Sequence, residues 1–300
     1  MSSEPISLDE AARRLGVHYM TAYRYVRTGR LPAAKTDGTW RVDPADVERL
    51  RRPRERVRSS AAPRRRDYPR RLADRLLAAD EPGAWTVLQD ALAAGMSADQ
   101  LYTDVIGPAL VRIGDGWAAG TVSVAQEHQA SAVVLRLIGR LGPLFRRRGR
   151  TRGTVVLGAP SGDQHAIPSA ILADLLRARG LAVIDLGADT PAESFTDAAD
   201  HAERLVAVGI VATTTGNDEQ IRAAISALRQ HGRGPIVLGG AAVTSAEHAR
   251  RLGADHHSTS AAEAVELFEQ LSLQAARARS NSTQGSSSPT GRISKVTGPR

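Results

Sequence analysis

One histidine in this chain stands where a metal ion could reach it. The stretch Ser161-Gly162-Asp163-Gln164-His165-Ala166-Ile167-Pro168 follows an apolar run, Thr154 to Gly158. It precedes an amphipathic segment with Ile167, Ile171, Leu172, Leu175 and Leu176 on one face. The run reads as a buried parallel strand and the segment as a helix. A strand-loop-helix of this kind aims its loop at the carboxyl edge of an open α/β sheet, where such folds bind ligands. Asp163 stands two residues before His165, placed to accept a hydrogen bond from the ring nitrogen that faces away from a metal. That contact would fix the tautomer and raise the basicity of the ligating nitrogen. The competing reading is a solvated histidine in a polar turn, and the loop alone leaves both open.

The elements that must position this loop are legible around it. Residues 153–272 alternate strand and helix in five rounds, with strands near Val155–Leu157, Ala182–Leu186, Leu205–Ala212, Ile236–Leu238 and Asp255–Ser258. That alternation predicts a doubly wound parallel sheet of the flavodoxin-like, Rossmann-type α/β class. Residues 67–148 read as helices over Tyr68–Ala79, Pro82–Ala94, Ser97–Ile113 and Val124–Phe145, which predicts a four-helix bundle. At the N-terminus, Ser7-Leu8-Asp9-Glu10 is a capping box for a helix that Gly16 ends. A second helix, His18 to Thr28, is closed by Gly29. Ala33–Thr36 and Thr39–Val42 then flank Asp37-Gly38, a strong hairpin signal, and Asp43-Pro44 opens a further helix. Two short helices across a glycine turn make a helix-turn-helix.

The expected organisation is multidomain. Residues 1–52 form the helix-turn-helix head, 53–66 a basic, proline-punctuated linker, 67–150 the bundle and 151–275 the α/β domain. Residues 276–300, rich in Ser, Thr, Gly and Pro, read as a disordered tail.

Composition narrows the function classes. The 300 residues include no cysteine, which excludes disulfides, cysteine zinc sites and thiolate chemistry. No apolar run approaches the roughly 20 residues of a membrane span, and the N-terminus lacks a signal-peptide pattern. A cytoplasmic protein without a membrane partner is expected. The net charge of +8 is concentrated: residues 1–66 hold 16 Lys+Arg against 8 Asp+Glu, leaving 24 of each sign for the rest of the chain. A basic head on a neutral body fits a nucleic-acid-binding module.

Residues 5–52 resemble the winged helix-turn-helix of the excisionase and MerR groups, on "LDEAARRLGVHYMTAYRYVRTGRLPA", the wing "GTWRV" and "PADVERL". The resemblance implies double-stranded DNA as partner, with the second helix in a major groove and the wing on the flanking backbone. Arg24 and Arg27 are one turn apart on that helix, His18, Tyr19 and Thr21 sit at its base-reading end, and Lys35 and Arg41 of the wing are phosphate candidates. Ala22, Tyr23 and Val26 pack inward. Any one of these polar side chains can instead belong to a solvated helix face.

The helical and α/β segments together resemble the cobalamin-binding module shared by methionine synthase and cobalamin-dependent regulators. The family spacing is D-x-H-x-x-G, about 41 residues, S-x-L, about 26 to 28 residues, and Gly-Gly. Here Asp163-Gln164-His165-Ala166-Ile167-Pro168 is followed by 41 residues (169–209) before Ile210-Val211-Ala212 and 26 more (213–238) before Gly239-Gly240. Trp117, nine residues, then Glu127-His128 resembles the helical cap of light-responsive, CarH-type regulators. The resemblance implies cobalamin, adenosyl or methyl, with His165 as the axial ligand of cobalt and Trp117, Glu127 and His128 covering the upper face. It further implies that Gly158, Ser161, Gly162, Gly187, Thr213, Thr214, Gly239 and Gly240 line the corrin and its displaced tail, the glycines admitting close backbone approach.

Three departures stand out. Pro168 replaces the loop glycine, Ser and Leu of S-x-L are absent, and Ala118 follows Trp117 where those sensors carry a second histidine. The reading that results is a non-enzymatic, homo-oligomeric DNA-binding regulator with a cobalamin sensory module, responsive to light if the ligand is adenosylcobalamin. Its rivals are a regulator whose degenerate cobalamin fold senses another effector, and a corrinoid methyl-transfer carrier.

Overall fold

A computed structural model describes residues 5–17, 19–27, 31–36, 39–51, 67–147 and 149–284. The expected linker 53–66 and His18 lie outside those residues. The chain forms two compact units, Met1–Leu144 and Phe145–Arg300, so the second begins at Phe145 rather than at 151.

In the first unit, β1 (Ile6–Ser7) leads into α1 (Leu8–Leu15), followed by α2 (Tyr19–Arg27), β2 (Ala33–Thr36), β3 (Thr39–Val42) and α3 (Pro44–Arg51). Ser7 caps α1 by accepting from the Glu10 amide at 3.2 Å. The reciprocal half of the predicted capping box does not form. The Glu10 carboxylate instead accepts from Arg13 at 2.7 Å and Arg14 at 3.0 Å, charge-assisted bonds stronger than one to a neutral amide. Gly16 ends the helix at φ 68°. The hairpin forms as expected, Lys35 opposite Trp40, and β1 adds to its β3 edge, a strand too short to show alternation in sequence. Leu8, Ala11, Ala12, Ala22, Leu31, Val42 and Val47 form the core, with Tyr23 and Val26 packed against it.

The four predicted helices follow. They are α4 (Tyr68–Leu77), α5 (Glu81–Ala93), a continuous third helix and α8 (Val124–Leu141). The third comprises α6 (Ala98–Gln100), a π turn (Leu101–Ile106) and α7 (Gly107–Ala118). Pro108 explains the π turn, because it has no amide to give the preceding turn; the Gly107 amide reaches back to the Tyr102 carbonyl instead. The helix therefore passes its predicted end at Ile113 and carries Trp117 on its last turn. Leu72, Leu76, Leu88, Leu101, Ile106 and Leu137 are fully buried.

The second unit is a five-stranded parallel sheet of β4 (Thr154–Gly158), β5 (Ala182–Asp185), β6 (Leu205–Val211), β7 (Ile236–Gly239) and β8 (His256–Ser258). Its order is β5-β4-β6-β7-β8, the flavodoxin-like doubly wound order. The crossovers are α9 (Ile167–Ala178), α10 (Ala192–His201), α11 (Asp218–Gln230) and α12 (Ala246–Leu252), and α13 (Ala261–Gln284) closes the fold. Strand alternation puts Val156, Val208, Ile210, Ile236 and Leu238 into one core with Phe195, Ile221 and Ile225. The other face carries Leu157 and Gly209 toward Phe268 of α13. The tail expected from residue 276 is helical through Gln284. Its alanines and arginines are good helix formers, and composition alone reads them as part of the polar tail that follows. No helix among the described residues is long and apolar enough to cross a membrane.

Gly209 is required by packing, since a Cβ there would lie 2.5 Å from Leu157 Cδ2 and 2.9 Å from Phe268 Cζ. Gly209→Ala should destabilise the second unit by about 1–3 kcal/mol, as overpacked cores do. Urea titration followed by far-UV circular dichroism measures it, and an unchanged midpoint would contradict the packing.

Candidate functional site

Four loops leave the carboxyl ends of β4, β5, β6 and β7, and hydrogen bonds tie them into one edge. The centre is Asp163, fully buried. Its Oδ1 accepts from the His165 amide at 3.2 Å and from His165 Nδ1 at 2.7 Å. Its Oδ2 accepts from the amides of Thr213, at 2.5 Å, and Thr214, at 2.9 Å. Burial pushes the carboxyl up, but these four donors outweigh it and hold the group at about 2. Asp163 is thus held as an anion well below the usual carboxylate range, and its contact with His165 Nδ1 favours the proton on that nitrogen. The ring is 55% exposed, and an Nδ1–H bond to the aspartate is the arrangement in which a metal would take Nε2. The expected hydrogen bond between Asp163 and the His165 ring is present.

The neighbouring loops brace this pair. The Ser161 hydroxyl donates to the Thr190 carbonyl at 3.3 Å, and the Gly162 amide donates to Asp189 at 2.7 Å. Asn217 donates from its side chain to the Ser161 carbonyl at 2.9 Å. The Gly187 amide donates to Asp185, whose carboxyl burial pushes up. The Thr214 hydroxyl lies 3.5 Å from His165 Nδ1. Asp189 and Asn217 were not among the sequence candidates. Asp and Asn just past a strand end are the available signal, because their short side chains bond to nearby backbone.

Pro168 and Ile210 fit without distorting the loop. Pro168 occupies the first turn of α9, where its missing amide has no intrahelical partner to lose. Ile210 is buried in the sheet core, and the amides of Thr213 and Thr214 serve the aspartate from the same crossover. Three of the glycines are also required by the protein's own packing. At Gly158 a Cβ would meet the Phe195 ring at 3.0 Å, at Gly239 the Ser258 hydroxyl at 2.8 Å, and at Gly240, where φ is +104°, the Ala212 carbonyl. The protein itself demands glycine at these three positions. Gly187, at φ +76°, faces open surroundings, and at Gly162, at φ +80°, a Cβ would make ordinary contact with the Asn217 side chain at 3.5 Å.

In the first unit, Trp117 on the last turn of α7 is 53% exposed, so it is not a core residue. A tight turn, with the Thr121 and Val122 amides both on the Gly116 carbonyl, leads from it to the Ser123 cap of α8. Glu127 follows within two turns, bonded to His128 Nδ1 at 2.9 Å and to the Ser131 hydroxyl at 2.7 Å, with the His128 side chain 74% exposed. Of the DNA candidates, Tyr19, Lys35 and Arg41 are exposed. Thr21 is not, because positions 21, 22, 25 and 26 share the core-facing side of α2. Arg24 and Arg27 are positions of α2 whose side chains lie outside the description.

Comparison with known proteins agrees with this anatomy. Residues 69–141 and 153–266 each match a family described as B12 binding domain, and residues 6–54 match a helix-turn-helix domain. Trimethylamine corrinoid protein 1 of Methanosarcina mazei is 30% identical over 191 residues, 62% of this chain and 88% of that protein. The HTH-type transcriptional repressor CarH of Myxococcus xanthus is 34% identical over 171 residues, 55% of each chain. The solved monomethylamine corrinoid protein of Methanosarcina barkeri shares the fold, with a TM-score of 0.58 at 22% identity over 65% of this chain and 94% of its own.

A carboxyl held near 2 against an ordinary 3.8 stabilises the fold fully above about pH 4, and the contribution is lost as pH falls toward 2. In urea titrations of the ligand-free protein, Asp163 should account for about 2 kcal/mol of the stability lost on that descent. Asp163→Asn should remove that component, and a variant with the wild-type pH profile would show the site is wrongly described.

Proposed function

We propose a function from the premise that this chain belongs to the family of cobalamin-binding corrinoid proteins, here joined to a helix-turn-helix domain: it is a DNA-binding transcriptional regulator that holds cobalamin on its α/β unit. The observation that carries the reading is the half-exposed His165 ring, with Nδ1 held 2.7 Å from the buried Asp163 carboxylate, the contact that favours the Nδ1–H tautomer. An imidazole of that tautomer suits a cobalt ion, and Asp163 keeps it from rotating away. The buried Thr190 hydroxyl has no partner among the described residues, which leaves hydrogen-bonding capacity beside the same loop.

On this reading, His165 would hold the cofactor's cobalt and Asp163 would be its positioning residue. Gly162, Gly187, Ser161, Thr213 and Thr214 supply the cofactor-facing backbone and hydroxyls. Trp117, Glu127 and His128 are cofactor contacts of the helical unit. Adenosylcobalamin, when bound, supplies a cobalt–carbon bond that light breaks; methylcobalamin is the other candidate form. Ala118 leaves the helix end after Trp117 without an imidazole, and His128 is the exposed histidine of that unit able to stand in for one. Occupancy of His165 biases the assembly of a homo-oligomer, and the assembly sets the spacing of the DNA-reading heads. Tyr19, Arg24, Arg27, Lys35 and Arg41 meet the duplex, the wing residues on phosphates.

A corrinoid methyl carrier is the second reading, favoured by the extent of the match to the trimethylamine corrinoid protein. The helix-turn-helix match at residues 6–54 favours the regulator.

Dark incubation with adenosylcobalamin or methylcobalamin should give a coloured complex. Its reduced cobalt should couple to one protein nitrogen in electron paramagnetic resonance. His165→Ala should lose the coupling and about tenfold or more in affinity, and equal binding by the variant would mean that another group holds the cofactor. Green light should change the spectrum of the adenosylcobalamin complex, and an unchanged spectrum removes the light response alone.

A further inference from the structure

The opposite edge of the same sheet carries a second concentration of chemistry. Five of the seven residues from Arg146 to Arg152 are arginines. Arg146, Arg147, Arg150 and Arg152 meet Arg177 and Arg179, from the end of α9, around an open groove of about 540 Å³ at the entry to β4 and β5. No carboxylate lines this groove among the described residues. Two of the charges are answered from outside it, Arg152 by Glu269 at 2.8 Å and Arg177 by Asp174 at 2.9 Å. Arg146, Arg147 and Arg150 are exposed, and no ion pair joins them to a carboxylate of the described residues. The Arg152 Nε is buried with no hydrogen-bond partner there.

We infer that this groove is a contact surface for the phosphate backbone of double-stranded DNA, separate from the helix-turn-helix. Gathering like charges costs folding free energy, and helix ends need only one or two cations to answer their dipole. Guanidinium forks match phosphate oxygens in pairs. The lining has no aromatic ring, and Leu181 is its single apolar side chain, so nothing there would stack a base or seat a lipid chain. What remains is recognition of spaced anionic oxygens without reading sequence, as the duplex backbone offers. The inference rests on the reading of the chain as a DNA-binding regulator, which supplies the duplex.

The test uses the full chain and a random-sequence duplex, with affinity followed by fluorescence anisotropy over a range of KCl concentrations. Arg146→Ala/Arg147→Ala/Arg150→Ala should flatten the log–log salt dependence by roughly 2 to 3, at about 0.9 for each phosphate that is no longer neutralised. The corresponding triple lysine variant should keep the wild-type slope, which separates charge from misfolding. Arg24→Ala/Arg27→Ala should weaken binding yet retain a salt-dependent remainder that the triple alanine change removes. A wild-type slope in the triple alanine variant overturns the groove and leaves the regulator standing. Failure of the wild-type chain to bind any duplex overturns both. Unaltered duplex binding, with tripolyphosphate bound by the wild type and not by the variant, assigns the groove to a free polyphosphate and overturns the DNA contact.

Discussion

The carboxylate of Asp163 is a charge held in the protein interior, and the C-terminal edge of the sheet is arranged around the need to satisfy it. An isolated buried carboxylate would take up a proton, because desolvation penalises the anion. Four donors prevent that here: two from His165, and one amide each from Thr213 and Thr214. Because the donors come from two different strand ends, the charge fastens the β4 loop to the β6 loop. The imidazole is therefore oriented by the same interaction that closes the edge. A ring fixed in one tautomer presents a lone pair without reorganising, which is the property a metal-binding nitrogen must have.

This arrangement also accounts for two departures from the family pattern. A serine in the place of Ile210 would offer a hydroxyl to the aspartate, but backbone amides are available at the strand end whatever the side chain. Ile210 is free to join the core with Val156 and Val208. Pro168 falls where a helix tolerates proline, so the change from glycine alters the start of α9 and leaves the Asp163–His165 hydrogen bond in place.

What was legible in the sequence follows from how local each cause is. The five strands, their alternation with helices and the D-x-H pair were readable because each shows in a window of a few residues. The sheet order was not legible, because the doubly wound class has more than one common order; the structure shows β5-β4-β6-β7-β8. The misses have non-local causes. Thr21 is buried because its helix turns that side to the core, and Glu10 leaves its capping role for two arginines that compete for it. The glycines at 158, 239 and 240 read in sequence as room for a ligand; the fold adds a packing reason the sequence did not show, since Phe195, Ser258 and Ala212 from other elements lie where a Cβ would be. A glycine in a sequence shows that something comes close; only the fold shows what.

The charge balance illustrates the same limit and leads furthest. Residues 67–300 hold 24 charges of each sign, so a sum over that span reads as electrically neutral and assigns the basic character to the N-terminal head. Interaction energies fall off with distance and are screened beyond about 8 Å at physiological salt, so a sum over a domain is the wrong quantity. What a ligand meets is the local set, and between Arg146 and Arg179 that set is six arginines whose two carboxylate partners lie outside the groove. A parallel sheet has two edges with different chemistry: crossover loops with backbone amides at one, strand entries at the other. This chain builds a histidine held by a buried aspartate into the first and a cationic surface into the second. The two proposed sites therefore lie at opposite edges of one domain, where a ligand at one does not occlude the other.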